Sequence, residues 1–504
     1  MSYKDRLIDL SRDGEQSLTE QIAGAFRAAI DSGELAPGDR LPPTRELAEL
    51  AGVNHLTAVR AYRRLRELGL VSSEVGRGTF VRQTAAAAPE EFAPGGTDWQ
   101  AYALPELQES YGDRVIAEMF RLAGEGGAGV VPLSVGYPTR ELYPAGEIQA
   151  ALDQVLADDP GRVLDYADIA GAPELREQLT RLLSERAVGD GPDDLVITNG
   201  ARQGLTLAAR AILRAGDAVA CEAPTFWGLL DSIRAVGARP LAVPVDGDGL
   251  DVDALELLIG RHDIKAVALQ PRCHNPTGRD LSPARRERLV ELARRHGFFV
   301  IEDGIYGELS LDGPPVSPLR AEAPEHVVYI DSLSKTLGGG LRIGWIAASG
   351  PVRDRILVEK QRDDIHSPTV SQLAAAEYLR SGDYARFLDE ARSFYRDRRD
   401  VLIDALDSEL GPLATLSEPR GGGHVWVTLE PLLDEADLTT QGVRSGVSFV
   451  PGAAMMPERP LRTMLRVSFC WLPPEDLVEG ARRLGRAVRA TMRRPQARSA
   501  LPIA

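Results

Sequence analysis

The chain has 504 residues, 43% of them hydrophobic, and a formal net charge of -16. At about 100 to 200 residues per domain that length allows about three units and a large buried core, while the acidic balance gives bulk charge no part in any nucleic-acid binding. Three widely spaced cysteines, Cys221, Cys273 and Cys470, argue against a disulfide framework or structural zinc; no apolar run approaches the ~20 residues of a membrane span, and a charged N-terminus without a secretory apolar segment points to the cytoplasm and to no membrane partner.

Leu18 to Ile30 has the apolar spacing of an amphipathic helix, Gly38 to Pro43 reads as a turn, and Thr44 as the cap of a short helix ending near Ala51. After Gly52-Val53-Asn54 a second helix runs to about Leu68, with Val59, Tyr62 and Leu65 on one face and His55, Thr57, Arg60, Arg63 and Arg64 off it. Leu70 to Val81 reads as two short strands around the glycine turn at Gly76-Arg77-Gly78. Helix, turn, helix and wing is a DNA-reading order of elements. Residues 1–82 hold 12 Lys+Arg and 12 Asp+Glu, but 54–82 hold 6 basic against 2 acidic residues, so the second helix and wing are locally positive. A charge run this short is, by itself, most often a solvated helix face.

Gln83 to Gly96 is rich in Ala, Pro and Gly and has little to bury, which predicts a mobile linker. Strand and helix patterns alternate from Val130 to Trp345 and predict an α/β fold with a mostly parallel sheet and crossover helices. A helical stretch from about Ser371 to Leu410 and strands at 424–429 and 464–469 predict a smaller C-terminal domain.

Five segments of this body carry chemistry. Residues 331–344, Asp-Ser-Leu-Ser-Lys-Thr-Leu-Gly-Gly-Gly-Leu-Arg-Ile-Gly, set one amine, Lys335, among hydroxyls and glycines with Arg342 seven residues on. An aldehyde cofactor with a phosphate needs such an amine for a Schiff base and such a cation and hydroxyls for its phosphate. Residues 196–205 read as a strand, a small-residue turn and a helix start, whose free N–H groups bind phosphate. His274-Asn275-Pro276-Thr277-Gly278 follows an apolar run, placing an amide past a strand end, where ligands sit in an open α/β sheet; His274 is expected to support that loop by hydrogen bonding. The run Phe299 to Tyr306 is a strand ending in Asp303 with a phenol three residues on. Such a carboxylate keeps a pyridine nitrogen protonated, or else caps the next helix. Arg466, inside an alternating strand pattern, either grips a carboxylate with two hydrogen bonds or lies at a wet edge.

In their order these motifs resemble the fold type I aminotransferases over about 110 to 490. The resemblance implies pyridoxal 5'-phosphate carried by Lys335 as an internal aldimine, Asp303 on the pyridine nitrogen, Asn275 and Tyr306 on the ring hydroxyl, and Phe226 stacked on the ring, with Trp227 beside it as a rival. It assigns the phosphate to Ala201, Arg202, Ser332 and Arg342, and the substrate carboxylate to Gly136 and Arg466. Tyr166 is similar to a tyrosine that reaches the phosphate of the partner subunit, which implies a homodimer. Residues 15–82, with Gly-Asp-Arg-Leu-Pro-Pro-Thr-Arg-Glu-Leu-Ala and Ala-Tyr-Arg-Arg-Leu, resemble the GntR-type winged helix throughout. That likeness assigns Arg45, His55, Thr57, Arg60, Arg77 and Gly78 to a double-stranded DNA operator.

A GntR-like head on an aminotransferase-like body is the layout of the MocR/GabR regulators. The expected division is a winged helix-turn-helix at 1–82, a linker at 83–109, a cofactor-binding body at 110–492 and a tail at 493–504. The implied function is transcriptional regulation in which an amino acid or amine displaces Lys335 as an external aldimine. The alternative is an active aminotransferase converting an amino acid to a 2-oxo acid, kept open because residues 275–278 read Asn-Pro-Thr-Gly as in true aminotransferases.

Overall fold

The computed structural model describes residues 10, 17–32, 34–36, 38–67, 70–74, 78–81, 100, 129–458 and 460–493. These fall into two compact units, divided between Gln108 and Glu109. The linker expected at 83–109 and the tail at 493–504 lie almost wholly outside the described residues, as does Arg77.

The head is built on three helices, α1 (Leu18–Asp31), α2 (Thr44–Leu50) and α3 (His55–Glu67), and a hairpin of β1 (Val71–Glu74) and β2 (Gly78–Val81). Ile22, Phe26 and Ala29 recur at helical spacing on α1 and are fully buried, as are Leu47 of α2 and Ala58, Ala61 and Leu65 of α3. Tyr62 packs its ring 5.8 Å from that of Phe26 and donates its hydroxyl to the Pro42 carbonyl at 2.5 Å. The inward face of α3 is therefore Ala58, Ala61, Tyr62 and Leu65, and Val59 sits only half-buried at its margin. Thr44 does not cap α2: Pro43 holds that position without a side-chain bond, and the Thr44 hydroxyl lies 3.2 Å from Nε2 of His55. Asn54 caps α3 instead, its Oδ1 accepting from the Thr57 amide at 2.8 Å. The expected turn at 38–43 begins as an extended segment, because the Leu41 amide donates to the Thr79 carbonyl and the Val81 amide to Asp39, which adds a third strand-like stretch to the wing.

The body is organised by an eight-stranded sheet of β4 (Leu195–Thr198), β5 (Ala218–Ala223), β6 (Arg239–Asp246), β7 (Gly249–Leu250), β8 (Ile264–Leu269), β9 (Phe299–Asp303), β10 (Val327–Ser332) and β11 (Gly344–Ala347), numbered after a short β3 (Val131–Pro132). Their order is β4-β11-β10-β9-β8-β5-β6-β7. The ladders from β10 through β9, β8 and β5 to β6 are parallel, and β11 runs against both β10 and β4. Both faces are covered, so strand residues alternate between two apolar cores: Ile197, Ala220 and Val267 in one, Val196, Cys221 and Ala266 in the other. Because β8, β9 and β10 run parallel, their carboxyl ends emerge side by side, and Gln270, Asp303 and Ser332 meet there.

The helical stretch at 371–410 is two helices, Thr369–Ser381 and Asp383–Leu410, broken at Gly382 with φ +83. Beyond it β12 (Ala414–Leu416), β13 (His424–Leu429), β15 (Val450–Pro451) and β16 (Met464–Ser468) form an antiparallel sheet in the order β12-β13-β16-β15, while β14 (Val447–Ser448) pairs with β3. The register sets His424 opposite Ser468 and Trp426 opposite Arg466. With a period of two, all four lie on one face of that sheet.

Candidate cofactor site and DNA-reading head

Lys335 reaches the site because β10 ends in a single 3-10 turn, Leu333–Lys335, whose start is fixed by the Ser332 hydroxyl accepting from the Ser334 amide at 3.0 Å. Its Nζ donates to the Gly136 carbonyl at 2.7 Å and lies 5.5 Å from the ring centres of both Tyr137 and Tyr306. Burial, helped by the Arg466 charge, lowers the amine to about 8, so a useful share is neutral and nucleophilic near neutrality. It lines a cavity of about 630 Å³ together with Ala201, Arg202, Phe226, Asp303, Ser334 and Arg342.

Asp303 is buried at the end of β9. Its Oδ2 accepts from Gln270 Nε2 at 2.7 Å and its Oδ1 from the Ile305 amide at 3.2 Å; it does not cap a helix. Burial pushes the carboxyl up to about 6, while those two bonds and Lys335 hold it from rising further. The opposite end of the cavity is a cradle. Gly200, at φ +83, begins the helix Ala201–Ile212, whose first amides have no partner within the helix, and a Cβ on Gly200 would lie 2.8 Å from Nη2 of Arg342. Arg342 itself adopts φ +55 and donates to the Asn199 carbonyl at 2.5 Å.

Substrate-side groups also converge. Arg466 is buried, donates to the Ser134 carbonyl at 2.9 Å and to Asn275 Oδ1 at 3.3 Å, and keeps a buried Nε without a hydrogen-bond partner among the described residues. No carboxylate pairs with it there, so an anion is what this guanidinium lacks; burial holds it down to about 10.

Phe226 and Trp227 are adjacent in sequence but differently placed. Phe226 lines the cavity, whereas Trp227 lies with its ring centre 5.0 Å from the Arg466 guanidinium. Ser332, Arg202 and Tyr166 have these surroundings. The Ser332 hydroxyl is buried and donates to the Ile343 carbonyl at 2.7 Å, and Ser334 lines the cavity in its stead. The Arg202 guanidinium pairs with Asp231 at 2.8 Å, which leaves its backbone amide for the cradle. Tyr166 is 82% exposed and packs edge-on to His366. His274 supports its loop, Nδ1 lying 2.8 Å from the Thr277 hydroxyl and Nε2 3.3 Å from Glu222.

Sequence reasoning missed Gln270, which bonds Asp303 and accepts from the Asn275 amide at 3.0 Å, and His424, which lies 2.9 Å from the Tyr306 hydroxyl. The one sequence signal for His424 was the Gly421-Gly422-Gly423 run before it, a mark of close backbone approach.

In the head, His55, Arg45 and Arg60 are exposed and Thr57 is half-buried by its bonds to Asn54. Gly78 has φ +127, and a Cβ there would lie 2.9 Å from Nε of Arg40. Arg64 is drawn back to Glu20 at 3.0 Å, so it is not free for a phosphate in this conformation.

A buried carboxylate, an amine of lowered basicity, a phosphate-sized cradle and an unpaired guanidinium fit pyridoxal phosphate and a carboxylate-bearing amine. Among known proteins, the family "Aminotransferase class I and II" matches residues 128–484, and "Bacterial regulatory proteins, gntR family" matches 18–81. An uncharacterized HTH-type transcriptional regulator of Bacillus subtilis, YdfD, is 30% identical over 92% of this chain and 95% of its own length. The probable rhizopine catabolism regulatory protein MocR of Rhizobium meliloti is 25% identical over 94% of each chain. The crystal structure of LysN, an alpha-aminoadipate aminotransferase from Thermus thermophilus complexed with N-(5'-phosphopyridoxyl)-L-leucine, superposes with a TM-score of 0.71 at 30% identity, over 78% of this chain and 99% of that one. In its body the chain thus belongs to the class I and II aminotransferases, whose cofactor is pyridoxal phosphate, and with its GntR-family head it is a MocR-type transcriptional regulator.

Proposed function

We propose that the body reads an amino acid or amine by exchange at Lys335 and that this exchange sets the affinity of the head for an operator. When bound, pyridoxal phosphate supplies an aldehyde carbon that condenses with amines and a ring that delocalises the electrons of an adjacent carbanion. This chain's residues would hold it at both ends: Asp303 on the ring nitrogen, Asn275 and Tyr306 on the ring hydroxyl, Phe226 against the ring, and the amides of Ala201 and Arg202 with Ser334 and Arg342 on the phosphate. Gly136 and Arg466 would take the carboxylate of an amino acid.

The observation that carries this reading is the lone amine of Lys335, held between the Gly136 carbonyl and the cavity, its basicity lowered by burial to about 8. Unprotonated, this amine would condense with the aldehyde, and when free of it would hold or move a proton at Nζ. An effector shifts DNA affinity only by binding one state of the chain better than another.

Tyr166 lies in an exposed apolar strip with Leu164 and Ile365. We assign that strip to a second copy of the chain, with Tyr166 reaching the partner's phosphate cradle, and place the homodimer in the cytoplasm with its operator. The test is spectroscopic: purified chain loaded with pyridoxal phosphate should show a visible band that shifts on titration with an effector amine, and borohydride should fix the cofactor on Lys335. A label elsewhere, or a band unchanged in Lys335→Ala, contradicts the reading.

Turnover with a 2-oxo acid acceptor is the second reading, favoured by Lys335 and Asp303 in the cavity wall with Tyr306 beside Lys335 and Asn275 on Arg466. Amino-group transfer at a rate independent of DNA would support it.

A further inference from the structure

His424 has no part in the assignments above, yet it is the hydrogen-bond partner of the Tyr306 hydroxyl. It opens β13 and is 2% exposed; its Nε2 lies 2.9 Å from the Tyr306 hydroxyl, and the two rings meet edge to face at 80° with centroids 5.4 Å apart. Which atom carries the proton follows from the rest of the ring. Nδ1 is buried with no hydrogen-bond partner among the described residues. A proton there would be a buried donor with nothing to meet, whereas a lone pair there costs less. Double protonation is opposed by burial and by two cations, Arg466 and Lys335, which together hold the imidazole well below its ordinary range. The remaining form has its proton on Nε2, directed at the phenol oxygen.

Tyr306 then accepts from His424 and keeps its own hydrogen for another acceptor, its ring centre 5.5 Å from Lys335 Nζ. Burial holds that phenol protonated. The ring is admitted because residue 136 is glycine: a Cβ there would lie 2.6 Å from Cε1 of His424, and the same Gly136 accepts from Lys335. We propose that His424 is a positioning residue for Tyr306, donating Nε2–H to the phenol oxygen so that the phenol donates into the site and sets the proton affinity of the cofactor chromophore.

The inference rests on the reading above, in which the phenol meets the ring hydroxyl. A stronger donor at that oxygen favours its anionic form, and a donor hydrogen bonded from behind is the stronger one. The groups that face the pair are Lys335, Arg466, Asp303, Cys470 and Tyr395.

The test is the pH titration of the visible band in full-length chain loaded with pyridoxal phosphate. In His424→Phe, which keeps an edge-to-face ring and lacks the N–H, the midpoint should move upward by roughly half a pH unit, about a threefold change in proton affinity. Tyr306→Phe should move it further in the same direction, and His424→Gln, which restores an N–H at similar reach, should bring it back toward wild type. A His424→Phe midpoint that is unchanged or lowered overturns the proposal, as does a His424→Gln midpoint no closer to wild type than that of His424→Phe. If His424→Phe loses the cofactor, retention of a wild-type midpoint in His424→Gln supports the proposal and loss there too overturns it. Failure of the underlying reading looks different: the wild type itself then shows no band reducible onto Lys335.

Discussion

Lys335 donates to the carbonyl of Gly136 at 2.7 Å, across 199 positions of sequence. This one bond ties the amine at the end of β10 to the turn assigned to the effector's carboxylate, so occupation of one is felt by the other.

Because burial lowers that amine to about 8, the sign of its pH dependence is fixed. Below this value most of the amine is protonated and cannot attack an aldehyde. Reattachment of pyridoxal phosphate to the cofactor-free chain should therefore speed up about tenfold per pH unit up to about 8 and level off above it. Stopped-flow absorbance checks this; an increase continuing to the ordinary lysine range would show the amine unperturbed.

Gly200→Ala places a methyl at φ +83 against the Arg342 guanidinium. With ψ at 165 this backbone lies in a region essentially confined to glycine, so alanine there costs about 1–3 kcal/mol, and Arg342 must also give way. Urea unfolding should register the first effect, and weaker pyridoxal phosphate binding the second.

Arg466→Ala removes the unpaired guanidinium. Affinity for an amino acid should fall by about 1.5–3 kcal/mol, the worth of a hydrogen bond to a charged group, while the decarboxylated amine with the same side chain binds with little change. Equal losses for both would mean that Arg466 supports the fold of the site and does not hold the carboxylate.

In the head, Arg60 is exposed on α3 and has no ion-pair partner among the described residues. Arg60→Ala should weaken binding to a selected operator by about 1–3 kcal/mol if the side chain reads a base, with relaxed specificity at one position, or lower all duplexes alike if it meets a phosphate. Gel-shift titrations at fixed salt on matched and mutated duplexes tell these apart.

Asn54→Ala removes the cap that accepts from the Thr57 amide. The cost should be about 1 kcal/mol of head stability, read by thermal unfolding, and DNA binding should fall with it.

The parts of this molecule legible from sequence were those with a local cause. Apolar runs without alternation foretold the strands buried on both faces, and strand ends foretold where Asn275, Asp303 and Lys335 would meet. The inward face of α3 was shifted because Ala58 and Ala61, small and easily passed over, carry the packing against α1 in place of Val59. The hydroxyl of Ser332 turns to Ile343 because its neighbour's amide needs it for the 3-10 turn that delivers Lys335. His424 in an apolar strand, and Gln270 one step past another, read as ordinary strand residues; only the long-range contacts that place Tyr306 and Asp303 beside them give them chemistry. The break at Gly382 was missed because flanking helical periodicity runs through it, while its left-handed backbone ends one helix and starts the next.

Regulation by this chain requires that an amine at Lys335 changes DNA binding. The direct measurement is the affinity of full-length, cofactor-loaded chain for an operator selected from random-sequence duplex, at fixed salt, with and without the amine that shifts its visible band. A change in affinity in the wild type that is absent in Lys335→Ala is predicted. The same affinity with and without that amine, or an equal change in both proteins, would contradict it.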